Sequence, residues 1–378
     1  MDKITKKKIA LVLVTLLVIV FLIDSQTEVA VLEDTSLPVG MKQPGRKKTM
    51  DEFARAAGMN PKFKIGLPYT EHPNIELPRY LKYREKYLTP VVNQGDCASC
   101  WAISVCHLIA DRIALYTAGK IKRPLSYQEL VSCFNNNGDN KGCTVGGIPE
   151  QAYKYVEEEG VATEEDYEYV QANNTKIAKC DFKKKQGFRT YIKPNSIRSL
   201  CIDPDKYKEG SKAWQETIDQ NTRNMRTELF LNGPINITII VYQSLFDHDG
   251  LSIYDPPKNK LGKFIGGHAA LCVGHAEEVN GEEPGFDGKY WIIKNSWSSH
   301  HPLKSPASKG FIYVRAGKNV CGIESRASSC QIDITDEIRE NMVGSLDEVS
   351  YRTFGQYVDD PERQLMVTKS TKLRSMFK

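Results

Sequence analysis

A stripe of lysine and arginine interleaved with aromatics is missing from these 378 residues, and with it the electrostatic footprint of a nucleic-acid binder. The longest basic runs, Lys6-Lys7-Lys8 and Lys183-Lys184-Lys185, have the size of solvated surface, and a net charge of +4 is ordinary for a globular chain. No second C-x-x-C accompanies Cys97-Ala98-Ser99-Cys100 and no histidine pair stands at ligand spacing, which sets a metal centre aside; His300-His301 lies on a polar loop. Internal repeats are absent. Long apolar runs are scarce as well: only Ile9 to Ile23, interrupted by Thr15, qualifies. As a helix it would span roughly 22 Å at about 1.5 Å per residue, short of a hydrocarbon core of about 30 Å. No Ala-x-Ala site follows, only a weak cleavage point after Ser25. With lysines before the run and ten cysteines after it, the chain is expected to enter the secretory pathway. Residues 1–25 then serve either as a cleaved signal peptide or as a signal anchor, the lysines staying cytosolic and the rest lumenal or extracellular. A buried core helix is the bland alternative.

What is present centres on Cys100. It opens an apolar stretch (Trp101, Ile103, Leu108, Ile109, Ile113, Leu115) that predicts a helix, with polar Asp111 and Arg112 near its end. At a helix N-terminus, unpaired N–H groups and the macrodipole favour a thiolate over a thiol. Helical signals continue over Leu125 to Cys133 and Pro149 to Glu158. After Gly233 the signals turn to strands: Ile235 to Val241, Ala269 to Val273, Tyr290 to Ile293 and Phe311 to Arg315. Residues 26–76 are polar and punctuated by Pro38, Pro44, Pro61, Pro68 and Pro73, except for a short helix expected from Thr49 to Ala57.

Three separated motifs, Gln94 to Ala102, Gly266-Gly267-His268-Ala269-Ala270 and Lys294-Asn295-Ser296-Trp297, together resemble the papain family of cysteine proteases, over most of residues 77–330. The resemblance implies an α+β fold of two subdomains, a helical N-terminal half facing an antiparallel, β-barrel-like C-terminal half across a cleft. It divides the chain into a short propeptide-like region (26–76), a catalytic domain (77–331) with an insertion at about 183–224, and a charged C-terminal extension (332–378) with an amphipathic stretch from Ile334 to Leu346. It assigns Cys100 as nucleophile, His268 as its base, Asn295 as the group that orients the imidazole under the shield of Trp297, and Gln94 as an oxyanion donor. A thiol of pKa about 8.5 falls to roughly 3–4 beside an imidazolium at a helix N-terminus. Family position pairs Cys97 with Cys143 and Cys133 with Cys180, leaving Cys106, Cys201, Cys272, Cys321 and Cys330 unassigned. No cofactor is implied. The partners implied are protein or peptide substrates, the chain's own propeptide as inhibitor, and a membrane if residues 9–23 are retained; a cleaved chain would be secreted or lysosome-like.

Substrate contacts implied by the resemblance are Gly146 and Gly147 for extended peptide backbone, Ile148, Pro149 and Ala269 as an apolar wall, Trp297, and Arg326 at the floor where cathepsin B has an acid. If Arg326 reaches in, an acidic side chain two residues before the cut is accepted; otherwise it is a surface arginine. Nothing after Pro149 resembles the occluding loop of cathepsin B, which implies an endopeptidase. Departures are Ala98 for glycine, one extra residue before Gly146, and Ser298 to Pro302 in place of a Gly-rich, Trp-bearing turn. The spacing from Cys100 to His268 exceeds the family's roughly 130–150 residues, and the insertion accounts for the excess. Of two glycosylation sequons, Asn173 lies in a polar loop and Asn236 on a strand expected to be buried. The rival readings are a catalytically impaired binding protein on the same fold and a thiol-disulfide oxidoreductase working through Cys97 and Cys100.

Overall fold

The structure, a computed structural model, describes residues 67–72, 74–134, 143, 146–171, 178–181, 183, 186–248, 250, 252–277, 288–297 and 309–361. Strands β1 (Leu67–Pro68) and β2 (Tyr80–Tyr83) precede helices α1 (Cys100–Tyr116), α2 (Tyr127–Cys133) and α3 (Pro149–Glu159). The starts of α2 and α3 have local causes. The Ser126 hydroxyl accepts the Glu129 N–H to begin α2, and Pro149 takes the first position of α3, where a missing N–H leaves no bond unmade. Short strands β3 (Val161–Ala162), β4 (Arg189–Thr190) and β5 (Arg198–Ser199) follow, then α4 (Lys212–Asn232), capped by Ser211 and stopped at Gly233. Helix α4 continues past residue 224, the expected end of the polar insertion.

The second half contains β6 (Ile235–Tyr242), α5 (Gln243–Phe246), β7 (Ile253–Tyr254), β8 (Phe264–Ala276), β9 (Tyr290–Lys294), β10 (Phe311–Arg315) and β11 (Ala327–Ser329). Beyond it lie α6 (Asp336–Asn341), β12 (Ser350–Tyr351) and α7 (Phe354–Val358). The sheet runs β1-β5-β11-β6-β8-β9-β10-β7, with β2 pairing β8 and β12 pairing β2. It is α+β as expected, but among the described residues the barrel does not close. The end strands β1 and β7 are two residues long, each pairs in parallel with one neighbour, and neither reaches the other.

Every residue of β8 is buried, because β6, β9 and β2 flank it and α1 lies against it. Helix α1 is buried on all sides from Cys100 to Leu115, where a one-sided apolar face was expected. Asp111 and Arg112, read as a polar end, are fully buried and paired: Lys294 Nζ lies 2.8 Å from Asp111, and the Arg112 guanidinium donates to Glu228 at 2.9 Å and to the carbonyls of Pro234 and Cys330. The C-terminal extension is packed through residue 361, with α7 against β2 and β12. The apolar run 9–23, the helix expected at 49–57, Asn173, the loop 298–308 and residues 362–378 lie outside the described residues. Among the described residues no helix is long and apolar enough to cross a membrane. Asn236 is buried on β6, as its sequence context predicts.

Candidate active site

Cys100 is the first residue of α1 and is held in no disulfide. Immediately before it, the bond between Cys97 and Cys143 and the Ala98 N–H donated to the Cys143 carbonyl at 2.8 Å pin the approach to the helix. The second expected disulfide, Cys133 to Cys180, is also formed. Ser99 is the N-cap, yet its side chain makes no capping bond to the helix.

His268 sits in the middle of β8, opposite Ile239 of β6. Its Nε2 lies 2.7 Å from Asn295 Oδ1, and the Ser296 N–H donates to the same oxygen at 2.9 Å. The Ser296 donor settles which end of the Asn295 amide faces the ring, so the imidazole Nε2 carries its hydrogen and Nδ1 of the neutral ring is a bare acceptor. That Nδ1 is buried and makes no hydrogen bond within the described structure. Burial pulls the imidazole down to about 4, partly opposed by the bond to Asn295, so the charged ring needs an anion beside it. The Trp297 ring lies 4.5 Å from that of His268 and stacks at 4.9 Å on Phe246 of α5, a residue for which the sequence carried no signal. Asn295 itself follows Lys294, whose buried ammonium is bound to Asp111 on α1. One ion pair thereby links the strand end that carries Asn295 to the helix that carries Cys100.

Gln94 is fully buried beside this loop. Its Oε1 accepts the Ser296 hydroxyl at 2.8 Å, which places Nε2 toward the Cys97 carbonyl at 3.0 Å; the second amide hydrogen is not needed for either bond. Gly146 has φ +82, and Gly147 lies flat on the Trp101 indole, where an added Cβ would stand 2.6 Å from the ring. Ile148 joins Tyr242, Phe264, Ile240, Leu261 and Cys321 in one apolar cluster, and Ala269 is buried next to His268. Arg326 is neither a free surface charge nor an unpaired pocket floor: its Nε is 3.9 Å from Glu150, the residue after Pro149. Among the described residues no cluster of side chains could hold a metal ion. An apolar pocket at the end of α1, lined by Ile113, Ile121, Leu125, Phe188 and Ile338, includes none of the expected site residues.

Such an arrangement can take a proton from a thiol, hold the imidazolium in one orientation and offer amide hydrogens to a developing oxyanion. Comparison with known proteins agrees in kind. The chain is 30% identical to Cathepsin L2 of Homo sapiens over 285 residues, covering 74% of each protein. It is 31% identical over 258 residues to a Cathepsin B-like cysteine proteinase 1 of Ostertagia ostertagi, covering 63% of this chain and 67% of that one. Among solved structures, proCathepsin B S9 from Trypanosoma congolense superposes with a TM-score of 0.53 at 23% identity, over 71% of this chain and 84% of that one, a likeness of fold. A family model described as "Papain family cysteine protease" matches residues 77–331. The chain therefore belongs to the papain family of cysteine proteases.

Proposed function

We propose that this protease is an endopeptidase using Cys100, His268 and Asn295, made as a zymogen. The observation that carries the reading is the His268–Asn295 bond, which leaves a buried Nδ1 with no hydrogen bond among the described residues, on the strand against which α1 packs. In the proposed cycle the Cys100 proton passes to His268 Nδ1 and the thiolate attacks the scissile carbonyl carbon. The oxyanion takes hydrogen bonds from the Cys100 N–H and Gln94 Nε2, the latter worth about 3–4 kcal/mol in the transition state. The imidazolium protonates the leaving nitrogen, the C–N bond breaks, and a thioester remains. Water, giving its proton to His268, attacks that thioester; the C–S bond breaks and the carboxylic acid leaves with thiol and imidazole restored. Thiolate and imidazolium form together, since burial alone opposes the charged ring.

Protein or peptide substrates, inhibition by residues 26–76 and a secreted or lysosome-like location belong to the same proposal, supported by the procathepsin neighbours. The described end of that region, Leu67 to Ile75, lies along β5 and under Arg223 of α4. The Arg326–Glu150 pair argues for an uncharged preference two residues before the cut rather than an acidic one. Labelling by the epoxide E-64, abolished in Cys100→Ala, tests the reading. An activated chain that binds peptides but takes no label would instead be the impaired binding protein.

A further inference from the structure

Tyr169 is used by no step above, yet its phenol stands between the two chain segments that supply the oxyanion donors. Its Oη is 2.8 Å from the carbonyl oxygen of Gln94 and 2.8 Å from Ser99 Oγ, the residue before Cys100. A carbonyl can only accept, so the single phenolic hydrogen goes to Gln94 and the Ser99 hydroxyl must donate to Tyr169. The direction of the chain is thereby settled: Ser99 to Tyr169 to Gln94. Burial raises the phenol's pKa, which keeps that hydrogen in place. Among the described residues the other polar atom near Ser99 Oγ is the Cys97 carbonyl oxygen at 3.5 Å.

The ring is held rigidly. It lies 4.5 Å from Tyr127, the first residue of α2, and the Tyr169 N–H donates to Glu164 at 2.8 Å. The consequence appears at the start of α1. A serine in the N-cap position ordinarily accepts an N–H from the first turn. Ser99 does not: its Oγ is turned to Tyr169, and the Ala102 and Ile103 N–H groups go to its own carbonyl at 3.0 Å.

We infer that Tyr169 is a positioning residue of the Cys100 centre: it diverts the Ser99 hydroxyl from capping α1 and anchors the Gln94 backbone. The first-turn field of α1 then acts on the thiolate and oxyanion instead of on a serine oxygen. The inference rests on the catalytic reading of Cys100 but concerns a residue outside it.

The test uses the activated full-length protein, Tyr169→Phe and the double variant Tyr169→Phe/Ser99→Ala. Phenylalanine keeps the ring against Tyr127, and a thermal melt checks the fold. For Tyr169→Phe we expect kcat to fall about tenfold, the size of one hydrogen bond's net worth, with KM within about twofold. The pH profile of Cys100 alkylation by iodoacetamide should shift upward, because the released Ser99 hydroxyl caps the helix. Removing that hydroxyl in the double variant should bring the alkylation profile back toward wild type. An unchanged profile in Tyr169→Phe, or a double variant no better than the single one, overturns the inference. Wild type inert to both E-64 and iodoacetamide would instead overturn the catalytic reading itself, so the two failures are distinguishable.

Discussion

Replacing Glu324 by glutamine should flatten part of the chain's stability against pH. Glu324 is fully buried where the loop before β11 folds back on β9. Its Oε1 accepts the Trp291 indole N–H at 2.7 Å and the Gly317 N–H at 2.8 Å, while Oε2 has no hydrogen-bond partner in the described structure. Burial outweighs those donors and raises the carboxyl from 4.5 to about 7. The folded state therefore holds the proton more tightly than the unfolded chain. The associated stability is complete below about 4.5 and is lost as pH rises through about 7. At about 1.4 kcal/mol per decade, the difference amounts to about 3 kcal/mol. Glutamine keeps the accepting oxygen toward Trp291 and removes the titration. Other groups tilt the whole curve: Glu164, also raised to about 7 by burial, adds to the loss, and His107, His268 and His275, all lowered by burial, oppose it toward acid. The informative quantity is thus the difference between variants. Urea unfolding of Cys100→Ser, with and without Glu324→Gln, at pH 4, 6 and 8 should give near-equal stabilities at pH 4. At pH 8 the glutamine variant should lead by about 3 kcal/mol. Parallel curves across that range would refute the argument.

Other perturbations follow from the same contacts. Lys294→Met leaves Asp111 charged and buried, and should cost about 3–5 kcal/mol in urea unfolding; Lys294→Met/Asp111→Leu should recover most of it, and a double variant as weak as the single would count against the pair. Glu150→Gln releases Arg326, and a positional peptide library should show about fivefold better use of Asp or Glu two residues before the cut, a modest gain because the pair is partly exposed. Ending the chain after Gln331 removes the buried Ile332, Ile338, Val349, Tyr351 and Phe354 and should cost about 5 kcal/mol or more by chemical denaturation; a truncated chain as stable as the full one would refute a packing role for the extension.

The catalytic motifs and the strands of the second half were legible because each carries a local signature: a cysteine at a helix start, a glycine pair before a histidine, apolar runs between turn residues. Helix α4 was not, since its apolar positions (Trp214, Ile218, Met225, Leu229) are spread thinly among polar ones and its first half reads as a solvated loop. Phe246 and Tyr169 join the site only through tertiary contact, and nothing in their neighbouring residues announces it. Closure of the sheet failed for a similar reason. Alternation along each strand reports a buried face but not whether the end strands are long enough to meet.

Charge was the property most easily misread, because in this protein several charged side chains do interior work. Asp111 and Arg112 read as the polar end of a helix, yet each joins α1 to a different, distant part of the chain. Asp111 reaches the strand end before Asn295, and Arg112 reaches α4 and the carbonyl of Cys330. The extension read as a charged tail likewise supplies β12 to the edge of β2, and Tyr357 lays its ring 4.3 Å from the buried ammonium of Lys82. Because β2 in turn pairs with β8, the run β12-β2-β8 ties the end of the chain to the strand that holds His268. A burial pattern read from sequence treats such residues as solvent-facing, and only their partners, far away in the chain, reverse the assignment.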